Sequence, residues 1–364
     1  MSETLTESKV PLKKNHQIQG QELKKSSLWL FTGILLLIIF ALTIDIGEMW
    51  NTFEKANYLV IIPGILAYFL GVCFRTLRWQ VLLSGIDKIK IRTLFPIVVI
   101  GCMANNILPF RLGELIRGYY LKNKKGVPTA TALSTIFVER VMDGLALIFI
   151  LAGSSMSVPF DEIFSKLSQI TRLGETFLLV IFTFPFAILF GLLVAIALNG
   201  PRSISILSQL TSQLPRNLAR SINHLTEDVV EGLYSLRNWK ITCKALLLSL
   251  PIWILEAVLF HSVLVSLGIL PSNSGTWHIF ASATSLTAIT NIGASIPSMP
   301  GGIGLFEMIA RETLMVIEPT SVSRSEAAAF ATLTHLCLIV PVVLLGQLFL
   351  WAEGLSLRKL RHRI

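Results

Sequence analysis

Charge is what this sequence has least of. Only 15% of its 364 residues are Asp, Glu, Lys or Arg, while 53% are hydrophobic. A soluble domain carries about 25% charged residues, so a water-soluble class is excluded. Cysteine is also scarce: Cys73, Cys102, Cys243 and Cys337 lie singly in or beside apolar segments, with no CxxC pair. That spacing excludes a disulfide framework and a zinc site, and the cysteines read as small hydrophobes. Catalytic patterns are missing too. There is no HExxH, no Walker loop, no DxxD repeat and no Ser/His/Asp arrangement, and the glycines of PGGIG follow no strand. No cofactor is expected. The net charge of +9 comes from basic loops rather than from Lys/Arg interleaved with aromatics, so no nucleic-acid partner is expected either.

What the chain does contain is a series of apolar runs long enough to cross a bilayer, which takes about 20 residues in a helix. The fold class is therefore all-α, a polytopic integral membrane bundle. The first run, Leu28–Ile44, is too long for a signal-peptide core and lacks a small-residue cleavage site, so it should stay attached. Residues 1–27, with five lysines, read as a disordered basic tail on the cytoplasmic side. Residues 28–352 form one transmembrane domain, and 353–364 a second basic cytoplasmic tail.

Within the domain, Asp45, Glu48 and Glu54 mark a short acidic loop. A second span runs from about Tyr58 to Leu83, ending in Arg75, Arg78 and Trp79. Loops 84–92 and 122–127 are both basic, and the positive-inside rule places both in the cytoplasm. The segment between them must enter and return, so 93–121 reads as a helical hairpin bent at Pro109 and Gly113. Segment 199–243 places Leu218, Ile222, Leu225, Val229, Leu233 and Leu236 at steps of three and four, an amphipathic cytoplasmic helix. It can lie on the membrane surface or pack under the bundle. In the second half, SIPSMPGG (295–302) breaks the apolar segment 277–317, which must enter and leave from the outer face. The expected total is about six full spans plus two oppositely oriented re-entrant hairpins. The proposed cytoplasmic segments carry twenty-two Lys and Arg, and the outer loops four.

The two hairpins resemble each other. Pro109 is followed by Gly113, Glu114 and Arg117; Pro300 is followed by Gly304, Glu307 and Arg311. Opposite entry with a shared break is the pattern of an inverted repeat in a transporter.

The chemistry concentrates at these breaks. NNILPFRLGELIRGYYLK (105–122) is the wrong composition for lipid-facing helix, since Arg at a bilayer centre costs at least about 2.5–3.5 kcal/mol. Such a segment belongs inside protein or beside water. Asn105 and Asn106 lead into it. Arg111, Glu114 and Arg117 then recur every third residue, within about a third of a helix surface. A planar guanidinium fork suits a phosphate; the alternative is a salt-bridge cluster bracing the hairpin. Glu139, Arg140 and Asp143 stand near the middle of the span 128–156. Glu139 and Asp143 share a face and need a cation, from Arg140 or from the hairpin. Glu256 is mid-span and is expected to meet Arg311 or a substrate amine, and His335 reads as a satisfied core group. Gly301 and Gly302 after Pro300 allow close backbone approach, with an anion-favouring helix N-terminus beyond them. Glu307 precedes Arg311 by four residues, the favourable order for an ion pair.

The segments NNILPFRLGELIR, FVERVMD (137–143) and PSMPGGIGLFE (297–307) resemble the lysylphosphatidylglycerol synthase transmembrane-domain, or flippase-like, family over about residues 28–352. The family includes the membrane half of bacterial multiple peptide resistance factors. The resemblance implies a helical bundle with paired re-entrant hairpins in a prokaryotic inner membrane. It implies movement of anionic or aminoacylated phospholipids between leaflets, with lipid-synthesis enzymes or a second copy of the chain as further partners. The bifunctional relatives' soluble aminoacyltransferase domain has no counterpart in these residues, so lipid aminoacylation is not expected. Relatives of this form also accompany glycosyltransferases and isoprenoid-lipid enzymes, which leaves a membrane-embedded transferase or accessory subunit as the rival reading.

Overall fold

The structure is a computed structural model that describes residues 38–108, 112–154, 174–212, 214–270, 275–295 and 300–353, with positions 35, 165, 168 and 172. Every regular element among the described residues is helical. Among the described residues three helices are long and apolar enough to cross a membrane: α2 (Ile61–Leu83, extended to Tyr58 by a 3-10 turn), α9 (Trp239–Leu267) and α12 (Arg324–Ala352). A fourth crossing is available if α6 (Glu175–Leu198) and α7 (Gly200–Thr211) act together, although the chain bends by 93° between them. Helix α5 (Thr129–Ser154) matches these in length, at 26 residues, but holds three charges near its middle.

Residues 45–55 depart from the expected loop. They form α1 (Ile46–Lys55), because the Asp45 carboxylate accepts the Glu48 N–H at 3.1 Å. Glu48 in the first turn and Lys55 in the last also complement the helix dipole.

The first hairpin is α3 (Ile91–Ile107) and α4 (Gly113–Lys125). Its bend residues Pro109, Phe110 and Arg111 lie outside the described residues. The two legs cross at a pair of glycines. A Cβ on Gly113 would sit 2.0 Å from the Gly101 carbonyl oxygen, and one on Gly101 would sit 2.3 Å from Cγ of Arg117. Only glycine permits that approach, and it lays the Arg117 side chain across the crossing.

The second break separates α10 (Thr276–Gly293) from α11 (Leu305–Ile317), with a short 3-10 turn at Pro300–Gly302. Gly301, Gly302 and Gly304 have φ of 68°, 75° and 86°, a left-handed run that residues with a Cβ adopt only under strain. The two breaks meet: a Cβ on Gly301 would lie 3.2 Å from the Asn106 carbonyl oxygen at the end of α3. Gly346 of α12 closes on Met103 nearby.

Segment 199–243 forms more than the single amphipathic helix expected, because Gly200 and Pro201 start a new one. It divides into α7 and α8 (Arg216–Gly232). The apolar residues of the segment divide between buried and exposed positions. Leu233 and Leu236 are buried under the bundle, whereas Leu218, Leu225 and Val229 are exposed.

The outside of the bundle is apolar where that of a soluble protein is polar. Leu336, Val340, Leu344 and Leu348 form an exposed stripe every four residues on α12, and Leu59, Ile62, Leu66 and Leu70 line α2. Buried Ser and Thr are interspersed in the apolar interior, with Ser285 of α10 donating to Ser154 of α5 at 2.9 Å. Small polar residues between helices are the packing mode of a protein whose solvent is lipid.

Candidate functional site

The site begins with the three charges of α5. Glu139 is fully buried; its Oε2 accepts from Arg117 Nη2 of α4 at 2.8 Å, and its Oε1 lies 3.5 Å from Arg78 Nε of α2. Asp143 Oδ1 accepts from Arg78 Nη1 at 2.6 Å and from Trp253 Nε1 of α9 at 3.2 Å. Arg140 forms ion pairs with Asp143 at 3.4 Å and with Glu114 of α4 at 3.2 Å. Arg78 thus bridges two carboxylates that would otherwise repel along one helix face. Its Nη1 also donates to Ser249 Oγ at 2.8 Å. The Arg117 guanidinium stacks 4.2 Å from the Trp79 ring, whose Nε1 donates to Thr135 Oγ1 at 3.0 Å. Four guanidinium donors in this network, Nε and Nη2 of Arg78, Nε of Arg117 and Nε of Arg140, are buried with no hydrogen-bond partner among the described residues. Of these, Arg78 Nε and Arg140 Nε lie in ion-pair contact with Glu139 and Glu114.

Arg75 sits one turn before Arg78 on α2. It lies in the electrostatic field of Asp143 of α5 and Glu256 of α9. Its guanidinium lies 5.5 Å from the Trp253 ring centroid, and its Nε is buried without a hydrogen-bond partner. Among the described residues no carboxylate stands within ion-pair distance of it. Four guanidinium groups (Arg75, Arg78, Arg117, Arg140) therefore face three carboxylates in ion-pair contact (Glu114, Glu139, Asp143), and Arg75 is the unmatched one. Glu256 is buried beside it but accepts from Asn291 Nδ2 of α10 at 2.8 Å rather than from a cation.

The second break is held by other chemistry. Glu307 does not pair with Arg311, contrary to the expectation from their spacing. Its Oε1 meets His335 Nδ1 of α12 at 2.7 Å, and its Oε2 accepts the Gly304 N–H at 2.7 Å. The reason is local: Glu307 is the third residue of α11, where a carboxylate folds back onto the start of its own helix. Arg311 is buried elsewhere. It donates to Thr43 Oγ1 at 2.7 Å, pairs with Glu312 at 2.7 Å and covers the Phe40 ring, so it is not a partner for Glu256 either. His335 is a satisfied core group, stacked on Phe306 at 4.1 Å.

The structure thus gathers Glu114, Arg117, Glu139, Arg140 and Asp143 into one network. It places Glu256 beside that network, and sets Pro300, Gly301, Gly302 and Glu307 together at the second break. Arg311 stands apart from both groups. Asn105 has a buried Oδ1 without a partner among the described residues, and Asn106 touches the second break through its backbone. Arg111 lies outside the described residues. Sequence reasoning missed Arg75, Arg78 and Trp253. The signal was present: two arginines three apart followed by a helix that continues to Leu83, so neither lies at its end. A cavity of about 450 Å³ opens away from this network, between the end of α2 and the start of α9, lined by Gln80, Lys88, Lys90 and Lys244 among others.

A bundle with broken helices around an interior arginine–carboxylate network is a multi-pass membrane protein. Residues 28–346 match the family described as Lysylphosphatidylglycerol synthase TM region, and the chain belongs to that family. It is similar to a UPF0104 membrane protein of Methanothermobacter thermautotrophicus, 21% identical over 78% of this chain and 83% of that protein. A second UPF0104 protein of that organism is 23% identical over 76% of this chain and 80% of its own length. The chain is also 23% identical to Glycosyltransferase AglD of Haloferax volcanii, over 84% of this chain but only 51% of that protein, about half its length. No solved structure matches.

Proposed function

We propose that the chain is a membrane lipid translocator that works without ATP, moving an anionic, aminoacylated or isoprenoid-linked lipid between leaflets. The reading takes about six crossings and two oppositely oriented re-entrant hairpins, with both termini cytoplasmic. The lipid headgroup enters between the breaks while its tails stay in the bilayer. The observation that carries this is Arg75, a guanidinium in the bundle interior whose buried Nε has no partner, and which has no carboxylate in contact, among the described residues. An intramembrane cation in that state is matched by an anion arriving from outside the fold, and a phosphate fits the guanidinium fork. Arg111 and Arg117 extend the grip on phosphate. Asn105 and Asn106 flank the entry. Glu139, Arg140, Asp143 and Glu114 fix the local potential, and Glu256 accepts from an amine where the headgroup carries one. On the other side Pro300, Gly301 and Gly302 form the bend, with Glu307 and Arg311 anchoring its helix.

The test is leaflet exposure of a labelled phospholipid in proteoliposomes, normalised to folded protein. Losing a hydrogen bond to a charged group costs about 1.5–3 kcal/mol, so Arg75→Gln should transfer about tenfold less or worse. Arg75→Lys should fall between Arg75→Gln and the native protein, because it keeps charge and loses the fork. Full normalised transfer in Arg75→Gln would overturn the reading. The name of the Haloferax volcanii relative favours a second reading, a membrane-embedded transferase or its accessory subunit. Only a transferase changes the mass of the lipid in the same assay.

A further inference from the structure

His335 faces two acceptors at once. Its Nε2 lies 2.9 Å from the Gly301 carbonyl oxygen, and its Nδ1 lies 2.7 Å from Oε1 of Glu307. A carbonyl only accepts, so Nε2 carries a hydrogen. At 2.7 Å, Nδ1 and a carboxylate oxygen also need a proton between them, because two lone pairs at that distance repel. The pair therefore holds one proton more than a neutral imidazole beside an ionised carboxylate, on whichever atom it rests. That proton is tied to the glycine turn from both sides. His335 grips the turn at Gly301, and Glu307 grips it at the Gly304 amide.

The charged groups on neighbouring elements are engaged elsewhere, apart from Arg75 of α2, which pairs with no carboxylate among the described residues. On α11, Arg311 and Glu312 bond each other. On α9, Glu256 accepts from Asn291 of α10, and on α2 Arg75 faces Glu256 and Asp143. On α12, Glu326 closes the Ser323 cap, and α3 meets the turn through the Asn106 backbone.

We infer that Glu307 and His335 form a proton-binding site that locks the second break. With the proton bound, the turn at Gly301–Gly304 stays anchored against Asn106. When the proton passes to water, the neutral imidazole keeps one N–H and can donate to only one of its two acceptors. The Nδ1–H tautomer holds the Glu307 carboxylate, the Gly301 carbonyl is left without its donor, and the turn loses that anchor. Resting on the translocator reading, this makes lipid movement proton-linked: acid holds the second break shut and its release opens it.

Backbone hydrogen exchange of residues 300–307 in the full-length protein, followed by mass spectrometry over a pH series and corrected for intrinsic rates, tests the site. Protection should be high in acid and fall by about tenfold or more as the pair loses its proton. Glu307→Gln should abolish that dependence. Its amide oxygen still accepts from Gly304, and its NH2 donates to a neutral His335, so the lock holds with no proton to lose. Should that variant fail to fold, His335→Gln, which still donates to Gly301, must also give a flat profile. A flat profile in the native protein, or an unchanged one in the folded variant, would overturn the proton site. Lipid transfer under an imposed pH gradient is read separately. Absence of any transfer beside the expected exchange profile counts against the translocator and leaves the site standing.

Discussion

Each half of the chain buries a carboxylate, Glu139 within α5 and Glu307 at the second break, and the two are held in different ways. Glu139 lies between two guanidinium groups from two other helices, Arg117 at 2.8 Å and Arg78 at 3.5 Å. Glu307 lies between an imidazole and a backbone amide, each at 2.7 Å. Guanidinium is a fixed charge, whereas the imidazole and carboxylate of the second pair share a proton between Nδ1 and Oε1. The first half is thus a frame of fixed charges, and the second carries the group that can change. The shared Pro, Gly, Glu, Arg order hides this division of labour.

Stability measurements can break the comparison. Glu139→Gln leaves Arg78 and Arg117 facing each other with a neutral amide, and breaking a buried pair costs about 3–5 kcal/mol. The expected result is a large loss of folded protein and a lower thermal midpoint in detergent. Glu307→Gln keeps an acceptor for Gly304 and a contact to His335, so its loss should stay below about 1.5 kcal/mol. Equal losses in the two variants would show that both carboxylates serve as braces of the same kind.

A smaller contrast sharpens the point within one helix. Arg78→Gln removes the bridge between Glu139 and Asp143, although Arg117, Arg140 and Trp253 remain, which puts the cost near the lower bound, about 3 kcal/mol. Arg75→Gln removes a cation with no ion-pair partner and should leave the thermal midpoint unchanged or slightly raised. A drop matching that of Arg78→Gln would make Arg75 a structural member of the network.

The sequence revealed more of the fold than of the site. Hydropathy marked the span from about Tyr58 to Leu83, and Pro and Gly marked both breaks, because those signals are local. Helix α1 was hidden by its acidic residues, which read as loop until Asp45 is seen capping Glu48. The partners at the breaks were not legible, because spacing along one helix reports only neighbours on that helix. Glu307 has Arg311 four residues on, yet its partner is His335, 28 residues on and in another helix. Arg75 and Arg78 looked like the basic end of a span. Their positions opposite Asp143 and Trp253 arise only when α2, α5 and α9 assemble.

The central claim is that Arg75 awaits a lipid phosphate. Native mass spectrometry of the purified protein, released gently from detergent, tests it directly. The account predicts a phosphate-bearing lipid retained by the native chain, and by Arg75→Lys to a lesser degree, and lost from Arg75→Gln while the protein stays folded. Equal retention of the same lipid by Arg75→Gln and the native chain would contradict it.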